Sequence, residues 1–164
     1  MESSRLMAPT TEIRYGLATP AELAGKAGRE FLQAVIDGRL PQPPICETLS
    51  FRLVEVGDGF AAFEGEPGAH LLNPMAGVHG GWALTLIDSA CGCAAHSVLP
   101  AGTGYATIET KGNLARPITK DTGRVRAEGH VISRGRQIIS TEARVLGADG
   151  KVLAHGTSTL LVLS

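Results

Sequence analysis

Apolar residues recur along the chain at two different periods. Leu23, Ala27, Phe31, Ala34 and Val35 fall at helical spacing, so one helix is expected from Pro20 to about Asp37. A proline in its first turn loses only an N–H that would be unpaired anyway. Gly38 and the cluster Pro41, Pro43, Pro44 end it. Two strands are expected at about 48–56 and 60–66, divided by the hairpin signal Gly57-Asp58-Gly59. A second helix, about 79–97, is apolar on almost every side. Four extended segments follow at about 104–115, 122–133, 136–147 and 152–163. Turn-forming clusters at Thr119-Lys120-Asp121, Arg134-Gly135-Arg136 and Ala148-Asp149-Gly150 join them. Short strands joined by tight turns imply an antiparallel sheet. A helix without a polar face must be buried, which a sheet curled around it achieves. The expected class is α+β: a curled antiparallel sheet around a long central helix, with an additional N-terminal helix. Residues 1–18 read as a loose arm and 19–164 as a single domain.

Composition narrows the partners. An apolar content of 43% over 164 residues suffices for one core. Fifteen basic against 16 acidic residues leave a net charge of -1, which argues against nucleic acid and membrane surfaces. Nine of the basic residues lie between Lys111 and Lys151, against four acidic ones, so an anionic ligand or a solvated strand face fits that half. Cys46, Cys91 and Cys93 offer neither zinc spacing nor an even-numbered disulfide framework. Without a signal-peptide pattern or a spanning apolar segment, a soluble cytoplasmic protein is expected.

The chemistry concentrates between Asn73 and Asp88, where a polar, glycine-rich loop runs directly into the apolar helix. Backbone N–H groups at a helix start favour developing negative charge, as an oxyanion site requires. Asp88 supplies a candidate base or nucleophile. Its neighbours on the helix are Leu84, Thr85, Cys91 and Gly92, so it is partly desolvated; a plain hydrogen bond to backbone or to Thr85 is the blander role. Gly80 and Gly81 suit either close approach of a ligand or a tight turn. His79 reads as a structural histidine or a proton-transfer group, and Asn73 as an orienter of water or a turn cap.

Gly80 and Asp88 are eight residues apart, about 12 Å of helical rise. An oxyanion donor must lie about 3 Å from the carbonyl oxygen, and the attacking atom roughly 3–3.5 Å from the carbon. One carbonyl cannot serve both, so the expected arrangement is a two-fold dimer in which Gly80 of one chain faces Asp88 of the other. The sequence contains no Gly-x-Ser-x-Gly elbow, no His-x-x-x-His or Cys-x-x-Cys pair and no phosphate-binding loop. Neither a metal nor a redox cofactor is expected.

The run Asn73-Pro74 … Gly77-Val78-His79-Gly80-Gly81 … Asp88 resembles the hotdog-fold acyl-CoA thioesterases of the phenylacetyl-CoA thioesterase-like branch. The resemblance continues through Thr107-Ile108-Glu109, Leu114-Ala115-Arg116-Pro117, Arg134-Gly135-Arg136, Thr141-Glu142-Ala143-Arg144 and Gly150 to Gly156. It implies hydrolysis of an acyl-CoA to a free acid and coenzyme A, the latter part of the substrate rather than a cofactor. Asp88 would activate water or attack the thioester, the Gly80 N–H would hold the oxyanion, and Asn73 would orient water or the carbonyl. Thr107 matches a position carrying a hydroxyl near the base. Coenzyme A would lie along Arg116-Pro117 and Arg134-Gly135-Arg136, where guanidinium groups suit phosphate. Family members are usually homodimers that pair into homotetramers. The remaining alternatives are a 3-hydroxyacyl-thioester dehydratase or hydratase built on His79, and a non-catalytic acyl-CoA-binding module.

Overall fold

The structure, a computed structural model, describes residues 12–164. Six strands form one antiparallel sheet: β1 (Phe51–Gly57), β2 (Phe60–Gly65), β3 (Gly104–Leu114), β4 (Val125–Arg134), β5 (Ile138–Leu146) and β6 (Val152–Leu163). Their spatial order is β1-β2-β4-β5-β6-β3, so β3 closes the sheet as an edge strand. Four α-helices accompany it among the described residues: α1 (Pro20–Leu23), α2 (Gly28–Ile36), α3 (Pro44–Thr48) and α4 (Gly80–His96). The sheet curls around α4, whose Leu86, Ile87, Ala90 and Ala94 are wholly buried. This is the expected hotdog arrangement.

The N-terminal region departs from expectation. One helix over 20–37 is replaced by two, because Thr19 and Glu22 close a capping box around a single turn and Gly25 then adopts a left-handed φ of 75°. The proline cluster starts a helix as well as ending one: Pro44 occupies the first turn of α3. Of the arm expected over 1–18, residues 1–11 lie outside the described residues. The remainder is tied down. Gly16 N donates to the Gln42 carbonyl at 2.9 Å, and Gln42 N donates to the Arg14 carbonyl at 2.9 Å.

Register explains how closely α4 seats. Cross-strand pairing aligns Ala61, Gly129, Ala143, Gly156 and Gly112 in one row across five strands. A Cβ added at Gly129 would collide with the Ala90 carbonyl of α4. Small residues on both surfaces therefore let the helix backbone approach the sheet. Flanking this row, Phe63, Val125, Val145 and Leu160 complete the core. Burying each such side chain contributes about 1.5–3 kcal/mol.

Helix α4 runs antiparallel along β3. Gly80 packs on Leu114, Leu84 and Ile87 reach Gly112, Asp88 meets Thr110, and Gly92 lies under Tyr105. Among the described residues no strand pairs with the outer side of β3, so this flank of α4 is covered only by an edge.

Candidate active site

The loop before α4 is held by its own polar groups. Asn73 Oδ1 accepts from Met75 N at 2.9 Å and Gly77 N at 3.2 Å, while Asn73 N donates to the Gly77 carbonyl at 2.7 Å. Both partners of Oδ1 are N–H donors, which fixes the amide orientation and leaves Nδ2 as the group free to meet a ligand. His79 caps α4: its Nδ1 accepts from Gly81 N at 2.9 Å, so the neutral ring carries its proton on Nε2. The Gly81 N–H is thereby occupied. Gly80 N–H makes no hydrogen bond among the described residues and stands at the positive end of the helix.

Asn73, His79, Gly80, Arg116 and Pro117 meet around one open cavity of about 340 Å³. Arg116 is fastened there by its Nε, which donates to the Val152 carbonyl at 3.2 Å. The turn Arg134-Gly135-Arg136 lies at the other end of the sheet, where Val162 N donates to the Gln137 carbonyl. From Val152 to Val162 is roughly 30 Å along β6. Within one chain, therefore, the two arginine groups expected to share coenzyme A are far apart.

Asp88 is half-buried two turns into α4. Its partner is Thr110, which the sequence did not single out: Thr110 Oγ1 donates to Asp88 Oδ1 at 3.0 Å. Thr110 in turn contacts Ser158 Oγ at 2.9 Å, and Ser158 Oγ donates to the Glu109 carbonyl at 2.9 Å. A hydrogen bond to a carboxylate is worth about 1.5–3 kcal/mol and holds that oxygen in place. Thr85, expected as an alternative partner, bonds back to the Gly81 carbonyl at 2.8 Å instead.

Thr107 makes no hydrogen bond to Asp88 within the chain, where the carboxylate is bonded by Thr110 instead. It pairs with the buried Leu160, whereas Thr110 pairs with the buried Ser158. The register shift at Ile108 places both threonines on the helix-facing side although they are three residues apart. Simple alternation would set them on opposite faces, which is why Thr110 escaped sequence reading. Thr107 is exposed at the open edge.

Burial pushes the thiols of Cys46, Cys91 and Cys93 up to about 12, 11 and 12, so none is a thiolate at neutral pH. No cluster of metal-ligating side chains occurs among the described residues. No helix there is long and apolar enough to cross a membrane.

The sequence model of the thioesterase superfamily matches residues 75–154, from the loop before α4 into β6. A solved conserved protein from Pseudomonas aeruginosa is 32% identical, over 73% of this chain and 94% of that one, with a TM-score of 0.68. A thioesterase family protein from Silicibacter pomeroyi is 28% identical over 73% and 89%, with a TM-score of 0.67. A mutant of the phenylacetic acid degradation protein PaaI from Thermus thermophilus is 26% identical over 72% and 97%, with a TM-score of 0.65. No curated protein sequence matches the chain. Family match and identity together place this helix-in-sheet chain: it belongs to the thioesterase superfamily, as a thioester hydrolase with the hotdog fold.

Proposed function

We propose that the chain hydrolyses an acyl-CoA to the free acid and coenzyme A, at a site completed by two copies of itself. The observation that carries this reading is the placement of an unpaired N–H at Gly80 and a positioned carboxylate at Asp88 on the flank of α4 next to an edge strand. The two groups are about 12 Å apart along the helix, too far for one carbonyl. Antiparallel pairing of two β3 edges about a two-fold axis would set the Leu114 end of one strand against the Thr107 end of the other. Gly80, packed on Leu114, would then approach Thr107 and Asp88 of the second copy. The same operation would carry Arg116 of one copy toward the Arg134-Gly135-Arg136 turn of the other, so that both groups reach one coenzyme A. Exposed apolar side chains along this flank, Leu84, Ile108 and Leu114, support such a contact.

In the proposed reaction Asp88 takes a proton from water as the water oxygen bonds to the thioester carbon. The resulting oxyanion accepts from Gly80 N–H at the helix start, with Asn73 Nδ2 as the second donor. Collapse breaks the C–S bond, and the leaving thiolate recovers the proton from the Asp88 carboxyl. Direct attack by Asp88 would instead give a mixed anhydride that water then cleaves. His79 serves as a cap in this scheme, and its engaged Nδ1 gives the dehydratase reading no support.

The test is release of free thiol from acyl-CoA esters by wild-type and Asp88→Asn protein. Turnover that falls about 10²-fold or more in the variant is the expected result. Undiminished turnover in Asp88→Asn would remove Asp88 from the mechanism. Binding of acyl-CoA without turnover by wild type would favour a binding module.

A further inference from the structure

An apolar cavity of about 180 Å³ lies between α2, the Pro41–Pro43 turn and the second half of α4. Leu17, Phe31 and Pro43 wall it on the N-terminal side; Cys93, His96 and Tyr105 face them. The His96 ring sits 5.5 Å from both the Phe31 and Tyr105 rings, and burial lowers its pKa, so the lining carries no charge at neutral pH. The cavity also approaches the proposed chemistry. Gly92 is one helical turn beyond Asp88, about 6 Å. The Tyr105 hydroxyl lies over it, only 2.8 Å from where a Cβ would stand. That hydroxyl makes no hydrogen bond among the described residues. Tyr105 thus spans from the turn next to Asp88 into the hollow.

Resting on the hydrolase reading above, we infer that this cavity receives the acyl tail, so that the segment from Leu17 to Pro43, outside the residues matched by the thioesterase family, sets acyl specificity. Size and lining define the substrate class. An apolar cavity of about 150 Å³ takes up a benzene ring, so this one suits an uncharged tail of roughly six to eight carbons, aromatic or aliphatic. A tail ending in a carboxylate would be desolvated with no cationic partner. A long fatty acyl chain exceeds the space.

The test compares acetyl-, hexanoyl-, phenylacetyl-, octanoyl- and palmitoyl-CoA with wild type, Phe31→Trp and Leu17→Asp. Phe31→Trp fills the cavity. Leu17→Asp charges its rim at a residue that is 80% exposed and whose replacement leaves the core intact. Wild-type kcat/KM is expected to peak among the six- to eight-carbon esters, and both variants to lower that peak relative to acetyl-CoA, Phe31→Trp by about 10-fold or more. An unchanged acyl profile in both variants overturns the inference. Calorimetric titration with coenzyme A and octanoyl-CoA separates this from failure of the hydrolase reading, using Asp88→Asn if wild type turns the ester over. Tighter binding of octanoyl-CoA than of coenzyme A, abolished by the variants, upholds the pocket even if no ester is cleaved. Equal binding of the two ligands overturns it.

Discussion

Asp88 and His96 lie two turns apart on α4 and have opposite surroundings. Asp88 keeps a hydroxyl donor, Thr110, and an open edge. His96 is enclosed by Phe31 and Tyr105, and desolvation lowers its pKa from the ordinary value of 6.5. The consequence for stability has a definite sign. As pH falls below about 6.5 the unfolded chain takes up a proton at this position before the folded chain does, so stability is full above that pH and declines as pH drops toward the folded-state value. Urea midpoints for wild type should therefore fall between pH 7.5 and 5.5. In His96→Asn, which cannot titrate, the decline should be smaller. Parallel curves for the two proteins would assign the effect to other groups.

At the scale of elements, the seating of α4 on the sheet depends on absent side chains. The row Ala61, Gly129, Ala143, Gly156, Gly112 can be read only once the strands are in register. Gly129 is its tightest point against α4, backed by the Ala90 carbonyl. Gly129→Ala should cost about 1–3 kcal/mol, seen as a lower urea midpoint, because backbone rather than a flexible side chain would have to move. A midpoint within error of wild type would mean that helix and sheet separate more easily than this packing implies.

At the scale of the whole molecule, an edge strand bearing Ile108 and Leu114 in water is an invitation to pair. Wild type is expected to sediment as a dimer or a larger even-numbered assembly. Ile108→Lys should shift it toward monomer and remove most of the hydrolysis, about 10²-fold, since each carbonyl would lose either its oxyanion donor or its base. A monomeric wild type with full turnover would refute the shared site.

Hydrophobic period and turn chemistry by themselves determined the element order from β1 onward, since a helix such as α4, apolar on almost every side, has nowhere to go but inside a sheet. Local chemistry likewise made the loop from Asn73 to Gly81 legible, because its hydrogen bonds join residues two to four apart. Thr110 was not legible. Its bond to Asp88 spans 22 residues, and a register shift at Ile108, which no alternation pattern reveals, aims it at the helix. The split between α1 and α2 turned on one left-handed glycine that helical periodicity reads through. Only tertiary structure brought Asn73, Gly80 and Arg116 around one cavity, carried Arg134-Gly135-Arg136 to the opposite end of the sheet, and hollowed a pocket beneath α2. Such relations depend on strand order and packing between distant segments, which the sequence encodes only through the assembled fold.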